Sequence, residues 1–183
     1  MAEMHLNYLM DGVFNFSLPG ARRVSYTSGV REAFDFVGLN YYTRNFQKFV
    51  FSGEGHARGV IKSPPEKLTD MGWEIYPEGL YRALKMITRH TPKPIYITEN
   101  GLADDSDTRR AGFIEEHLRV LNRAVAEGMN VKGYFYWSLL DNFEWAFGFT
   151  RRFGLYHVDF STLRRTLRAG SRKYPEIILE SRG

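Results

Sequence analysis

Pro94-Ile95-Tyr96-Ile97-Thr98-Glu99-Asn100-Gly101 decides how this chain folds. Four residues suited to a buried strand run straight into a carboxylate, and Asn-Gly then turns the chain. Taken alone, the stretch reads first as a solvated Glu opening a loop. Its surroundings reverse that reading. Upstream, Phe34-Asp35-Phe36-Val37-Gly38-Leu39-Asn40-Tyr41-Tyr42 is a near-continuous apolar run, expected to be a strand buried on both faces. Downstream, Val131 to Ser138 reads as a third strand of the same kind.

Helical patterns separate these strands. Pro77 is suited to the first position of a helix, and Leu80, Leu84 and Ile87 recur at helical spacing to about His90. A second helix is expected with Ile114, Leu118, Leu121 and Val125 on one face and Gly128 as its stop. Between Glu99 and that helix, Leu102 to Arg110 reads as an acidic, polar loop, with Asp104, Asp105 and Asp107 as a solvated lead-in rather than a calcium loop. Strand, helix, strand, helix, strand predicts an α/β fold with parallel, right-handed crossovers. All three strand ends carry polar or aromatic groups: Asn40-Tyr41-Tyr42, Glu99-Asn100 and Trp137-Ser138. A doubly wound nucleotide-binding sheet would require a glycine-rich phosphate turn, and the sequence has none.

The flanks read less clearly. Residues 1–20 suggest the end of a helix and then a loop, and 21–32 match no pattern. Phe46 to Phe51 suggests a short excursion strand, Ser52 to Pro65 a long surface loop, Leu139 to Thr150 an aromatic loop, Gly154 to Val158 a short strand, and Tyr174 to Glu180 a short helix.

Composition narrows the function classes. The 183 residues are 43% hydrophobic and 25% charged, the profile of one soluble globular domain or part of one. No apolar run is long enough to span a membrane, and Met1-Ala2-Glu3-Met4-His5 lacks the order of a signal peptide, so no membrane partner is expected. The absence of cysteine excludes disulfides and thiolate metal sites, fits a reducing compartment, and leads us to expect a cytoplasmic protein. The formal charge is +4. Much of the excess lies in Arg164-Arg165, Arg168 and Arg172-Lys173, which reads as a solvated surface; no nucleic-acid motif accompanies it, so no nucleic-acid partner is expected. No histidine pair has metal-ligand spacing. His117 reads as a packing or surface residue, and His90 as a helix-ending charge.

Four blocks now stand in order: Asp35 to Tyr42, Gly72 to Leu80, Thr98-Glu99-Asn100-Gly101, and Gly133 to Trp145 with its W-S-L-L-D-N-F-E-W string. Together, from about Phe34 to Asp159, they resemble the C-terminal part of glycoside hydrolase family 1, the β-glucosidase family. The resemblance implies a (β/α)8 TIM barrel and retaining β-glycoside hydrolysis of a small sugar substrate, without cofactor or metal. Glu99 matches the family's nucleophile and Tyr42 the tyrosine that donates to it. Glu144 and Trp145 match the pair that holds the sugar, and Trp137 the tryptophan beneath the sugar ring. Trp73 and Phe153 resemble pocket walls, and Asn40 a residue supporting the site from behind. A retaining enzyme needs its nucleophile about 5 Å from a second carboxyl group.

The departures matter as much. The family's acid/base Asn-Glu-Pro motif is absent, as are the segments that supply its Gln, His and Asn sugar contacts. Phe147 stands where many members have a polar residue, Phe149 where Tyr is common, and Ser171 to Tyr174 lacks the usual Trp-Tyr. Residues 1–183 are therefore expected to form a single C-terminal partial-barrel segment holding about the last three β/α units, with the end of a preceding helix in residues 5–12. Open strand edges would call for a complementary N-terminal half or for self-association. The alternative class is a sugar-binding or non-catalytic half-barrel.

Overall fold

The computed structural model describes residues 2–17, 20, 22–29, 34–45, 47–49, 57–59 and 63–181. Helix α1 (Ala2–Asp11) leads into an antiparallel hairpin of β1 (Val13–Phe16) and β2 (Val24–Thr27). The central element is a parallel sheet in the order β3 (Val37–Asn40), β6 (Ile95–Asn100), β7 (Val131–Tyr136). An antiparallel excursion of β4 (Gln47–Phe49) and β5 (Ala57–Gly59) follows β3. Helix α2 (Pro77–His90) connects β3 to β6, and α3 (Arg110–Ala126) connects β6 to β7. The antiparallel pair β8 (Tyr156–Val158) and β9 (Arg165–Leu167) and helix α4 (Lys173–Glu180) complete the order.

Both connecting helices cover the same face of the sheet. Leu80, Leu84 and Ile87 of α2 pack with Ile95 and Ile97 of β6 and with Phe113, Ile114, Leu118 and Leu121 of α3 in one buried cluster. The amphipathic pattern that predicted each helix is thus the pattern that buries it. Pro77 occupies the first turn of α2, where its missing N–H costs nothing. Gly128 ends α3 at a φ of +86°, with its N–H donating to Val125 O and that of Met129 to Ala124 O, which closes the open carbonyls of the last turn.

Among the described residues, no helix covers the opposite sheet face. Phe36 and Phe135 are 53% and 57% exposed on that side, and Gly38, Asn40 and Thr98 are exposed with them. Strand β3 is accordingly half-buried on one face and exposed on the other, correcting the expectation from its apolar run; among the described residues it pairs with β6 alone. No closed barrel forms among the described residues, and no described helix is long and apolar enough to cross a membrane.

Further expectations are corrected in detail. Residues 13–16 and 24–27 pair as strands where a loop and no pattern were read, and β5 lies inside the expected loop Ser52–Pro65. Phe46, 50–56 and 60–62 lie outside the described residues. Val125 is exposed, because the buried stripe of α3 is centred on His117 and Ala124 and Val125 falls at its margin. Arg168 is buried against Asp141, so the basic C-terminal run is not wholly a solvated surface.

His117 is buried among aromatic groups. Its ring stacks on Phe113 with centroids 3.9 Å apart, its Nδ1 lies 2.8 Å from Phe113 O, and its Nε2 has no protein partner. Burial pushes its pKa down to about 4, outweighing the opposing effect of the Phe113 carbonyl.

Two outcomes are expected. Leu84→Ala removes a fully buried side chain from between helix and sheet and lowers stability by about 2–5 kcal/mol, read from the urea midpoint at unchanged slope. Because the His117 pKa is lower in the folded chain than unfolded, its effect is nil above pH about 6.5 and grows as pH falls towards 4. Between pH 7 and 5 the wild type loses about 2 kcal/mol more than a His117→Asn chain. Equal losses in parallel urea titrations would refute this origin.

Candidate active site

Strand alternation sorts the two tyrosines that follow β3. Tyr41 turns to the helix side, where its hydroxyl donates to Tyr76 O at 2.6 Å. Tyr42 turns to the other side, and its hydroxyl donates to Glu99 Oε2 at 2.7 Å. Glu99 lies at the end of β6, where the register with β7 shifts between Ile97 and Asn100. Asn100 is fully buried and ties the strand ends together: its Nδ2 donates to Tyr41 O, and its Oδ1 accepts from Tyr134 OH, each at 2.7 Å. Tyr41 N donates to Glu99 O, and Trp137 N to Asn100 O. Gly101 completes the turn. A Cβ there would stand 1.8 Å from the Trp137 carbonyl oxygen, so glycine is the residue that lets β6 and β7 end side by side.

Burial, then the hydrogen bond to Glu99, then the charges of Glu99 and Glu144 hold the Tyr42 pKa well above the ordinary tyrosine value. Tyr42 therefore remains a donor to the carboxylate throughout the physiological range. Glu144 has its pKa raised by burial and by the charge of Glu99. Glu144 sits on the loop after β7, where Phe147 N donates to Glu144 O and Glu144 N to Gly148 O.

Aromatic rings pack around the tyrosine that holds the carboxylate. Tyr42 and Trp73 have centroids 5.4 Å apart, and Phe153 lies 6.2 Å from each of them. Phe153 is only 2% exposed. Trp137, half-buried, and Trp145, 81% exposed, are not in this cluster among the described ring contacts. Asn40, opposite Glu99 in the sheet, accepts a hydrogen bond from Thr98 Oγ1 at 2.6 Å through its Oδ1. The structure thus brings together Glu99, Tyr42, Trp73 and Phe153, sets Glu144 within their electrostatic reach, and leaves Trp145 on an open rim. A carboxylate fixed by one donor against an apolar wall is equipped to attack an electrophilic carbon or to accept from hydroxyl groups. Among the described residues, no cluster of His, Asp and Glu could hold a metal ion.

Behind the wall lies an ionic network that the sequence reading passed over. Asp104 is fully buried, not a solvated lead-in; its Oδ2 accepts from the backbone N–H groups of Arg109 and Arg110 and so caps α3. Arg110 is also fully buried and donates to Asp107, to Tyr136 OH and to the carbonyls of Asp104, Arg152 and Phe153. Asp141 accepts from the N–H groups of Gly154 and Val158 and from Arg168. The available signal was Arg109-Arg110 itself. Two cations at a helix N-terminus oppose its dipole, so something other than helix propensity keeps them there.

The family model of "Glycosyl hydrolase family 1" matches residues 24–182. The chain is 40% identical over 161 residues to "Beta-glucosidase A" of Thermotoga maritima, covering 82% of this chain and 36% of that protein. It is 40% identical over 151 residues to a "Beta-galactosidase" of Saccharolobus solfataricus, covering 78% and 31%. Among solved structures it resembles a β-glycosidase from Pyrococcus horikoshii, at a TM-score of 0.81 and 36% identity over 96% of this chain and 40% of that one. A β-glucosidase of Thermotoga maritima in complex with glucoimidazole aligns at a TM-score of 0.72 and 41% identity, over 80% and 35%. The chain therefore spans little more than a third of the length of these relatives. Its three parallel strands with their connecting helices are part of the (β/α)8 TIM-barrel architecture of these glycosidases, and the chain belongs to glycosyl hydrolase family 1.

Proposed function

We propose that this chain carries the nucleophile side of a retaining β-glucosidase-type site. Glu99 attacks the anomeric carbon of a β-glycoside, forming an ester bond as the bond from that carbon to the leaving oxygen breaks. Tyr42 holds the attacking carboxylate in place through the hydrogen bond to its Oε2. Glu144 accepts from sugar hydroxyls, the Trp145 indole N–H donates to another, Trp137 lies beneath the ring, and Trp73 and Phe153 form the wall. Asn40 supports the site through Thr98. The observation that carries the reading is the 2.7 Å hydrogen bond from Tyr42 to Glu99 at the C-terminal end of the parallel sheet, where barrel enzymes keep their chemistry.

Residues 1–183 act on this reading as one C-terminal segment of the barrel. The sheet is completed by a complementary N-terminal half or by self-association, and the protein works in the cytoplasm. No Asn-Glu-Pro motif supplies a general acid. Glycosides that leave as stable phenolates need no protonation and are the substrates of choice for the chain alone.

Two outcomes test this. Incubation with 2,4-dinitrophenyl 2-deoxy-2-fluoro-β-glucoside adds one fluoroglucosyl group to the chain, placed on Glu99 by peptide mass spectrometry and absent from Glu99→Gln. A folded chain that binds the sugar without becoming labelled would mark a sugar-binding relative instead. Tyr42→Phe removes one hydrogen bond to a charged group and slows labelling roughly 10- to 100-fold; an unchanged rate would remove Tyr42 from the mechanism.

A further inference from the structure

Phe153 backs Tyr42 and packs on Trp73, and its backbone is tethered as well. On one side, the Arg110 guanidinium donates to the carbonyls of Arg152 and Phe153 at 3.2 and 3.1 Å. On the other, Asp141 Oδ1 accepts from Gly154 N at 2.8 Å. Three consecutive residues are thus gripped by two buried, opposite charges. Between those grips the Phe153 ring meets Tyr42 edge-on, at 6.2 Å and 82°, and Tyr42 in turn donates to Glu99. Space for the backbone at this point is minimal: a Cβ on Gly154 would stand 2.2 Å from Asp141 N and 2.4 Å from Tyr156 O.

We propose that Arg110 and Asp141 are positioning residues, a buried clamp on residues 152–154 that seats the Phe153 ring against Tyr42 and thereby aims the Tyr42 hydroxyl at Glu99. Neither residue touches the carboxylate. The clamp draws on three separate parts of the chain: the start of α3, the loop after β7, and the approach to β8. Their assembly therefore couples the order of that loop to the geometry of Glu99. A lysine at position 110 keeps the charge but lacks the planar fork that reaches two carbonyls at once. Asparagine at position 141 keeps the shape and loses the charge.

The catalytic consequence rests on Glu99 being the nucleophile; the geometric one does not, and the experiment separates them. The chain is isotope-labelled at tyrosine Cζ, and the Tyr42 resonance is assigned by its absence from Tyr42→Phe. Arg110→Lys, Asp141→Asn and Phe153→Leu are expected to move that resonance in the same direction, with circular dichroism unchanged. Arg123→Lys, which alters an exposed ion pair with Glu78, leaves it in place. If Arg110→Lys fails to fold, Asp141→Asn and Phe153→Leu decide the question. A folded clamp variant whose Tyr42 resonance matches the wild type overturns the proposal.

Fluoroglucoside labelling then reads the consequence. Arg110→Lys slows it roughly 10-fold, and no more than Tyr42→Phe does, the cost of a small misplacement made at a distance. In a Tyr42→Phe background the same substitution adds little, because both act through one hydroxyl. Fully multiplicative losses would show that Arg110 acts by another route. Absence of labelling in the wild type refutes the function proposed above and leaves the resonance test of the clamp standing.

Discussion

Parallel pairing of β6 between β3 and β7 is the constraint on which the rest of the structure depends. A parallel strand cannot be reached by a tight turn, so α2 and α3 must cross one face of the sheet, and their apolar stripes bury Ile95 and Ile97. The same pairing forces all three strands to end at one edge. Glu99, Tyr42 and Trp137 come from positions far apart in the chain, and they meet because parallel strands run the same way. Asn100 strengthens that edge by bonding to the strand-end groups on both sides.

A site at strand ends needs loops that stay put. Here the loop after β7 is long and rich in exposed aromatic groups, and its own packing is thin. Buried charge supplies the order instead. Asp104, Arg110, Asp141 and Arg168 are nearly or fully excluded from solvent, and each has opposite charges or polar backbone around it. Such groups are costly to bury and costlier to leave unpaired, so alternative loop arrangements that break the pairing are strongly disfavoured.

Much of the fold was legible because its signals are local. Helical periodicity around Leu84 and Leu118, Pro77 at a helix start and Gly128 at a helix stop each work within one or two turns of chain. Strand β6 was legible for the same reason, and Glu99 with it. Asp104 was misread because three aspartates within four residues of a polar loop look solvated; its burial is produced by Arg109 and Arg110, and by a cap that exists only once α3 has formed. Val125 was misplaced because the pattern showed a stripe but not its centre. The hairpin β1–β2 was missed because its strands are short and largely exposed, with no buried face to leave a pattern.

The sequence by itself determined the order of the three parallel strands and their two connecting helices, the family, and which carboxylate and tyrosine stand at strand ends. These depend on local propensity, periodicity and short motifs. Only the tertiary structure decided that Asp104 and Arg110 are fully buried, that the Phe153 ring packs on both Tyr42 and Trp73, and that Arg110 and Asp141 grip residues 152–154 from both sides. Those outcomes depend on register, and on buried charges finding partners tens of residues away along the chain. No local pattern records such a partner, because the energy that selects it arises only when water has been excluded from both.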